Sequence, residues 1–89
     1  MKCDFTKSFL RDLKANKHDK DFLLRVKKIV EETEGAVFLT EVKNLKKLKG
    51  EKTYYRIRSG KYRVGISIEN DVITFVRALP RKDIYRYFP

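Results

Sequence analysis

The spacing of apolar residues predicts two helices in the first part of the chain, preceded by a short strand. Residues 2–5 (KCDF) alternate between apolar and polar side chains, which is typical of a strand. Thr6 or Ser8 then supplies an N-cap for a first helix. That helix ends in the polar segment 15–18, and its apolar stripe has helical spacing: Phe9, Leu10 and Leu13.

A second helix is predicted from about Asp19 to Glu34. Acidic residues occupy its start, where they favour the positive end of the helix dipole, and Gly35 suits a C-terminal cap. Three lysines give the helical hairpin a cationic outer face: Lys20, Lys27 and Lys28. The buried face is predicted from residues spaced three, four and seven apart: Phe22, Val26, Ile29, Val30 and Thr33.

From Thr53 the apolar period changes to two, which predicts a three-stranded antiparallel meander. A turn at Asn70-Asp71 separates the second strand from the third, "VITFVRAL", which Pro80 ends. The segment 36–48 and the tail 81–89 show no clear period. The core face of the first two strands is predicted to consist of Tyr55, Ile57, Tyr62, Val64 and Ile66.

The predicted fold class is therefore α+β: a short N-terminal strand, a two-helix hairpin and a three-stranded antiparallel meander, in a small sheet with helices packed on one face. With 89 residues, we expect one domain spanning 1–89. The helices cover one face of the sheet, so we expect the arginines of the strands to occupy the other.

The net charge of the chain indicates which kind of partner it binds. The chain carries 22 basic and 12 acidic residues, a formal charge of +10, which predicts a polyanionic partner. Nine basic residues and one acidic residue lie between residues 43 and 63, so this segment holds +8 of the total. The alternative interpretation is a solvated polar face, but such clustering favours a binding site for a polyanion.

Other classes are disfavoured by composition. One cysteine cannot form an internal disulfide, and one histidine argues against most metal sites, so we expect neither metal nor cofactor. The N-terminal residues lack the apolar region of a signal peptide, and no segment has the length of a membrane span. We therefore expect a cytoplasmic protein without a membrane partner.

The strand pair "YYRIRSGKYRVGISI" concentrates the charge. A two-residue turn at Ser59-Gly60 would place Arg58 opposite Lys61 and Arg56 opposite Arg63, with all four cations on one face. Directly opposed like charges cost about a few tenths of a kcal/mol per pair. A bound phosphate backbone would relieve this repulsion, so the pattern indicates a nucleic-acid site.

Such a site has the elements needed to cleave RNA. Attack of a ribose 2′-OH on the adjacent phosphate needs a proton acceptor, cations beside the phosphoryl oxygens and a proton donor for the leaving 5′-oxygen. His18 falls in the loop between the predicted helices, so catalysis would depend on lysine, arginine and tyrosine. Tyr85 could also stack on an unpaired base.

The segments "LKKLKG", "YYRIRSGKYRVGISI" and "VITFVRALPRKDIYRYF", after a strand and a helical hairpin, resemble the RelE/ParE superfamily of bacterial type II toxins. In the RelE branch the toxin is a ribosome-dependent endoribonuclease that cuts mRNA in the ribosomal A site and inhibits translation. The resemblance implies five catalytic residues: Arg56, Arg58, Arg63, Arg81 and Tyr85. We assign RNA and ribosome binding to the basic residues around them: Lys43, Lys46, Lys47, Lys49, Lys52, Lys61, Lys82 and Arg86.

The sequence departs from the family at two points. Lysines stand in the family where this chain has Arg56 and Arg58, and arginine is a poor general base. The chain has Leu79-Pro80 where many relatives carry a glycine-histidine or similar pair. The general base therefore stays open between Lys52, Lys82 and water.

Two other functions are compatible with the resemblance. The ParE branch shares the fold but poisons DNA gyrase, and its members typically lack the full cationic and tyrosine set. A non-catalytic nucleic-acid-binding relative is the other.

The resemblance also implies a cognate antitoxin, acidic and partly disordered when free, that covers the active face or displaces the C-terminal tail. Ribosome and mRNA would be the other partners, and operator DNA would be contacted only through the antitoxin.

Overall fold

The computed structural model describes residues 1–48, 50 and 53–89. It contains a five-stranded sheet with the order β1-β5-β4-β3-β2. The strands are β1 Lys2–Phe5, β2 Leu45–Lys47, β3 Tyr54–Ser59, β4 Tyr62–Glu69 and β5 Val72–Pro80. The helices are α1 Lys7–Ala15, α2 Lys20–Gly35 and α3 Arg81–Tyr87, and a short 3-10 turn spans Leu39–Glu41.

The predicted α+β class is confirmed, and the sheet is larger than the predicted meander. The N-terminal strand β1 joins it by pairing in parallel with β5, and β2 adds an antiparallel strand to the outer edge of β3. The strand β2 has only three residues, which is too short for a period of two to be recognised.

The main core lies between the sheet and the α1–α2 hairpin. Thr6 caps α1 by accepting from the amide of Phe9 at 3.0 Å, and Asp19 caps α2 by accepting from Phe22. The predicted core face of the strands is confirmed. Tyr55 is partly buried against this core, and four residues are fully buried in it: Ile57, Tyr62, Val64 and Ile66.

The β3–β4 hairpin has its turn one residue later than predicted. Gly60 and Lys61 form the turn, so that Arg58 lies opposite Arg63 and Arg56 lies opposite Gly65. The reason is backbone conformation. Gly60 has a φ of +57°, and one common two-residue hairpin turn requires a positive φ at its first position.

The second face of the sheet was predicted to carry the arginines of the strands, and the structure shows that a third helix, α3, also packs on it. The prediction gave the tail no regular structure, and its apolar residues explain the helix. Ile84 and Phe88 are buried, and together with Leu79 they form a second, smaller core. A glycine on β4 makes the close approach possible, because a Cβ at Gly65 would lie 2.6 Å from ring carbons of Phe88.

An ion pair between a buried carboxylate, Asp12, and the partly buried Arg77 joins α1 to β5. The strand β1 pairs with β5 only as far as Phe5. Further along β5, the backbone amide of Ala78 donates to the carboxylate of Asp12 at 2.9 Å instead of to a neighbouring strand. Both carboxylate oxygens of Asp12 also accept from the guanidinium of Arg77, at 2.8 and 3.0 Å. The Arg77 guanidinium lies 5.4 Å from the ring centroid of Tyr87, which extends the link to α3.

No helix in the described part of the chain is both long enough and apolar enough to cross a membrane.

Candidate active site

Four arginines and a tyrosine surround one cleft on the second face of the sheet. The cleft has a volume of about 440 Å³ and is formed where the tip of the β3–β4 hairpin meets α3. Its described lining consists of Gly60 and the five residues predicted to be catalytic: Arg56, Arg58, Arg63, Arg81 and Tyr85. The fold therefore brings together residues that lie up to 29 positions apart in the sequence.

The helix α3 presents two of these side chains because it is amphipathic. Ile84 and Phe88 are four residues apart and anchor one side of the helix in the second core. Arg81 and Tyr85 have the same spacing and share a different, exposed side. The amide of Arg81 donates to the carbonyl of Lys61 at 2.8 Å, which ties the start of α3 to the hairpin turn.

Arg63 is the most enclosed cation of the cleft. It was predicted to lie on an open face, but only 7% of it is exposed, and it shares the cleft with Gly60 of the turn and with Arg81 and Tyr85 of α3. Its Nη1 donates to the carbonyls of Gly60 at 2.6 Å and Tyr62 at 2.8 Å. These two bonds fix the guanidinium within the hairpin.

The positive charges around the cleft repel one another when no anion is bound. Burial, followed by the nearby positive charges of Arg56, Arg81 and Arg58, lowers the pKa of the Arg63 guanidinium. Arg58 is its direct cross-strand partner. Neutral oxygens partly compensate these charges: the carbonyls of Gly60 and Tyr62 accept from Arg63, and the Tyr85 hydroxyl accepts from Nε of Arg56 at 3.3 Å. The cleft is therefore suited to an anionic group.

The basic residues predicted to bind RNA divide into separate groups. Lys61 and Lys82 line an adjoining cavity of about 490 Å³ together with Pro80, Arg81 and Tyr85. Lys46 pairs with Arg56 and so extends the cationic face onto β2, whereas Lys47 pairs with Tyr55 and belongs to the opposite face.

Other predicted residues lie away from this cleft. Arg86 is exposed on α3 but is not among the lining residues. Lys43 lines a different cavity, beside α2. Lys49 and Lys52 lie outside the described residues.

Sequence reasoning missed the residues that support the cleft. Asp12 had a recognisable signal, because it lies three residues after Phe9 and thus within the buried stripe of α1. A carboxylate in that position needs a partner, and Arg77 provides it. The role of Gly65 had no signal of its own, because it depends on Phe88, 23 residues later in the chain.

The tip of the hairpin is connected to the helices through Tyr62, the first residue after the turn. Its hydroxyl donates to the carboxylate of Asp19, the N-cap of α2. This bond raises the pKa of Tyr62 to about 12, and it is the main cause that lowers the pKa of Asp19. The strand that carries Arg63 is therefore linked to α2.

Comparison with known proteins identifies the class. A family model described as the ParE toxin of the type II toxin–antitoxin system, parDE, matches residues 3–85. The chain is 46% identical to the protein named Toxin RelE3 from Methanocaldococcus jannaschii over 91 aligned positions, which cover all of both chains. These matches show that the chain belongs to the RelE/ParE superfamily, and it is a toxin of the type II class.

Solved structures give the same fold. A chain in the crystal structure of the RelB-RelE antitoxin-toxin complex from Methanococcus jannaschii is 44% identical, with 97% of this chain and 99% of that chain covered and a TM-score of 0.78. A chain in the archaeal RelE-RelB complex from Pyrococcus horikoshii OT3 is 25% identical, with coverages of 90% and 93% and a TM-score of 0.70. These relatives are named RelE, whereas the family model is named ParE.

Proposed function

We propose that this toxin is a ribosome-dependent endoribonuclease that cuts mRNA in the ribosomal A site and so inhibits translation. The observation that carries the proposal is the cleft, in which four guanidinium groups and one tyrosine converge on a space of about 440 Å³. The relatives at 46% and 44% identity, which are named RelE, support the same branch.

The proposed reaction is a transfer within the RNA strand. The 2′-hydroxyl of a ribose gives up its proton and its oxygen attacks the adjacent phosphorus. The bond to the 5′-oxygen of the next nucleotide breaks and that oxygen takes up a proton from the protonated general base or from water, which leaves a 2′,3′-cyclic phosphate and a 5′-hydroxyl. Arg63 and Arg81 would hold the phosphoryl oxygens and the charge on the leaving oxygen. Because Arg63 is fixed by two backbone carbonyls, its charge is in place before the negative charge develops.

Arg56, Arg58 and Tyr85 complete the proposed site. Arg56 and Arg58 would stabilise the transition state from the β3 side. Tyr85 is 61% exposed, so its ring is free to stack on a nucleotide base while its hydroxyl stays beside Arg56.

Proton transfer requires a different group, because arginine hardly deprotonates. Lys82 is a described residue that can exchange a proton, and it lines the cavity that adjoins Tyr85. We assign it the role of general base, and the single-turnover cleavage rate of a Lys82→Arg variant tests this. A slower rate with RNA binding unchanged is the expected result, because arginine keeps the charge but hardly accepts a proton, whereas an unaltered rate would assign the proton to water or to another residue.

The proposed protein partner is an antitoxin that covers the apolar groove between α1 and α2. This groove measures about 440 Å³, and its exposed apolar members include Phe5 and Leu10, 41% and 53% exposed. Both archaeal RelE relatives were crystallised with RelB.

A Leu10→Asp variant is expected to lose co-purification with a small acidic protein encoded beside this gene and to keep cleavage. Operator DNA would be bound only by the complex, through the antitoxin.

Inhibition of DNA gyrase is the second candidate, because the matching family model is named after the ParE toxin. The two functions are separated by incubating the purified toxin with translating ribosomes in one assay and with gyrase and plasmid in another. Cleaved message with intact plasmid supports the ribonuclease. Gyrase-linked DNA breaks with intact message would replace it by the second candidate, and tight RNA binding without either activity would indicate a non-catalytic binding module.

A further inference from the structure

A second cationic cavity lies at the edge of the sheet, between α2 and the end of β3. It has a volume of about 330 Å³ and differs from the candidate active site in most of its lining. Its described lining contains one carboxylate, Glu32, and four cations: Arg25, Lys28, Lys43 and Arg58. We call it the edge cavity.

The edge cavity lies beside the end of β3 that β2 does not reach. The strand β2 pairs with β3 only as far as Ile57, so Arg58 and Ser59 at the end of β3 pair with β4 but have no strand on their other side. The preceding turn closes the gap where the amide of Arg58 donates to the carbonyl of Asn44 at 3.1 Å. Buried side chains of Ile29, Val42 and Ile57 form the floor, and the cations stand around it.

Arg25 is held in a fixed position at this cavity. Its Nε donates to Asp21 at 2.9 Å and its Nη1 to the hydroxyl of Ser59 at 3.2 Å. The guanidinium also packs against Gly60, where an added Cβ would lie 2.8 Å from Nη1. Within the described part of the chain, Nη2 has no hydrogen-bond acceptor. A cation that is fixed and keeps free donors loses little entropy when it binds an anion.

The other cations of the edge cavity lack acidic partners. Among the described residues, no carboxylate lies within 4.0 Å of the charged groups of Lys28, Lys43 or Arg58. Four positive charges stand against two carboxylates, Glu32 in the lining and Asp21 on Arg25, and this positive excess favours a phosphate.

Arg58 connects this cavity to the candidate active site, because it lines both. We propose that the edge cavity binds a backbone phosphate of the substrate RNA strand, so that the strand crosses the end of β3 with Arg58 between two successive sites. This inference rests on the proposed function. It adds Arg25 and Lys28 on α2 to the RNA-binding surface and gives Lys43 a defined ligand.

The test compares RNA of two lengths. Fluorescent 2′-O-methyl oligouridylates of 3 and 12 nucleotides cannot be cleaved by 2′-oxygen attack, so their binding is measured without catalysis. The double variant Lys28→Ala/Lys43→Ala is expected to bind the 12-mer about fivefold more weakly, with a salt slope smaller by about 0.7 for one lost phosphate contact, and to bind the 3-mer as the wild type does.

Two further variants make the result specific. Glu32→Gln removes the carboxylate of the edge cavity and is expected to tighten binding of the 12-mer, an effect that misfolding cannot produce. Lys7→Ala/Lys17→Ala removes the same charge from exposed positions near α1, outside the lining, and is expected to leave the difference between the two oligonucleotides unchanged.

Equal losses in the Lys28/Lys43 and Lys7/Lys17 variants would overturn the proposal, as would equal losses for both oligonucleotides. Weaker association with ribosomes, with 12-mer binding unchanged, would overturn it too, since the phosphate would then belong to ribosomal RNA. Failure of the proposed function is distinguishable, because a toxin that cuts no message on ribosomes can still show the length-dependent binding.

Discussion

The ring of Phe88 lies against the backbone of Gly65, so close that a Cβ at residue 65 would come within 2.6 Å of it. This contact sets how near α3 can approach the sheet. Because α3 carries Arg81 and Tyr85, a glycine on β4 controls the position of two side chains of the candidate active site. The shape of the cleft therefore depends on a residue that has no side chain.

Substitution of Gly65 by alanine is expected to displace Phe88 and α3. The free energy of unfolding should fall by about 1–3 kcal/mol, as for other overpacked sites, and cleavage should fall with it. Urea denaturation followed by circular dichroism measures the first effect. Gly35→Ala is the matched control: a Cβ there meets nothing within 4 Å, so no loss of stability is expected. Equal destabilisation in both variants would refute the role of the contact.

Removing one of the opposed charges of the hairpin should stabilise the free toxin. Arg58 lies directly opposite Arg63, so Arg58→Gln is expected to raise the free energy of unfolding by about 0.2–1 kcal/mol at low salt. The gain should nearly vanish at about 1 M salt, where the screening length is about 3 Å. Cleavage should decrease in the same variant. Arg11→Gln, an exposed change on α1, is the control and should show no such salt-dependent gain.

The Asp12–Arg77 pair is expected to be important for stability. An Asp12→Asn variant leaves the Arg77 guanidinium without its bidentate partner, which should cost about 3 kcal/mol. Asp21→Asn breaks the exposed pair with Arg25 and should cost less than about 0.5 kcal/mol. Chemical denaturation of both variants measures the difference, and similar values would contradict the structural importance of the buried pair.

The Tyr62–Asp19 bond predicts a pH-dependent stability. The pKa of Asp19 is lowered, so its contribution is present above its ordinary value of 3.8 and is lost as the pH falls below it. The pKa of Tyr62 is raised to about 12, so its contribution is present below its ordinary value of 10.0 and is lost as the pH rises towards 12.

The stability difference between wild type and Tyr62→Phe should therefore be largest between about pH 4 and 10 and should shrink on either side. Urea denaturation at five pH values from 3 to 11 measures it. A difference that does not vary with pH would show that the hydroxyl bond contributes nothing to stability.

Local patterns predicted much of the fold. The α1–α2 hairpin, the N-cap of α1 and the core face of the strands follow from periodicity and capping, which depend on residues a few positions apart. The position of the hairpin turn was wrong by one residue. Ser59-Gly60 and Gly60-Lys61 both provide a glycine, and only the φ of +57° at Gly60 decides between them.

The rest of the fold depends on contacts distant in sequence. The pairing of β1 with β5 joins the two ends of the chain, and α3 forms where Phe88 meets Gly65. The resemblance to a known family named the five residues of the cleft, but it could not show that Arg63 is buried. Its enclosure depends on contacts distant in sequence, and the spacing of Ile84 and Phe88 that marks α3 was not recognised in the tail. The catalytic roles of these residues stay a prediction.

If the cleft cleaves mRNA on the ribosome, as we propose, primer extension on a translated message will detect the cuts. With ribosomes present, the wild-type toxin should produce discrete cuts with 5′-hydroxyl ends, and without ribosomes it should leave the same RNA intact. Arg81→Ala and Tyr85→Ala should each reduce the cleavage rate by about a hundredfold or more, whereas Arg11→Ala should not. Intact message with wild-type toxin, or undiminished cutting by Arg81→Ala, would contradict the claim.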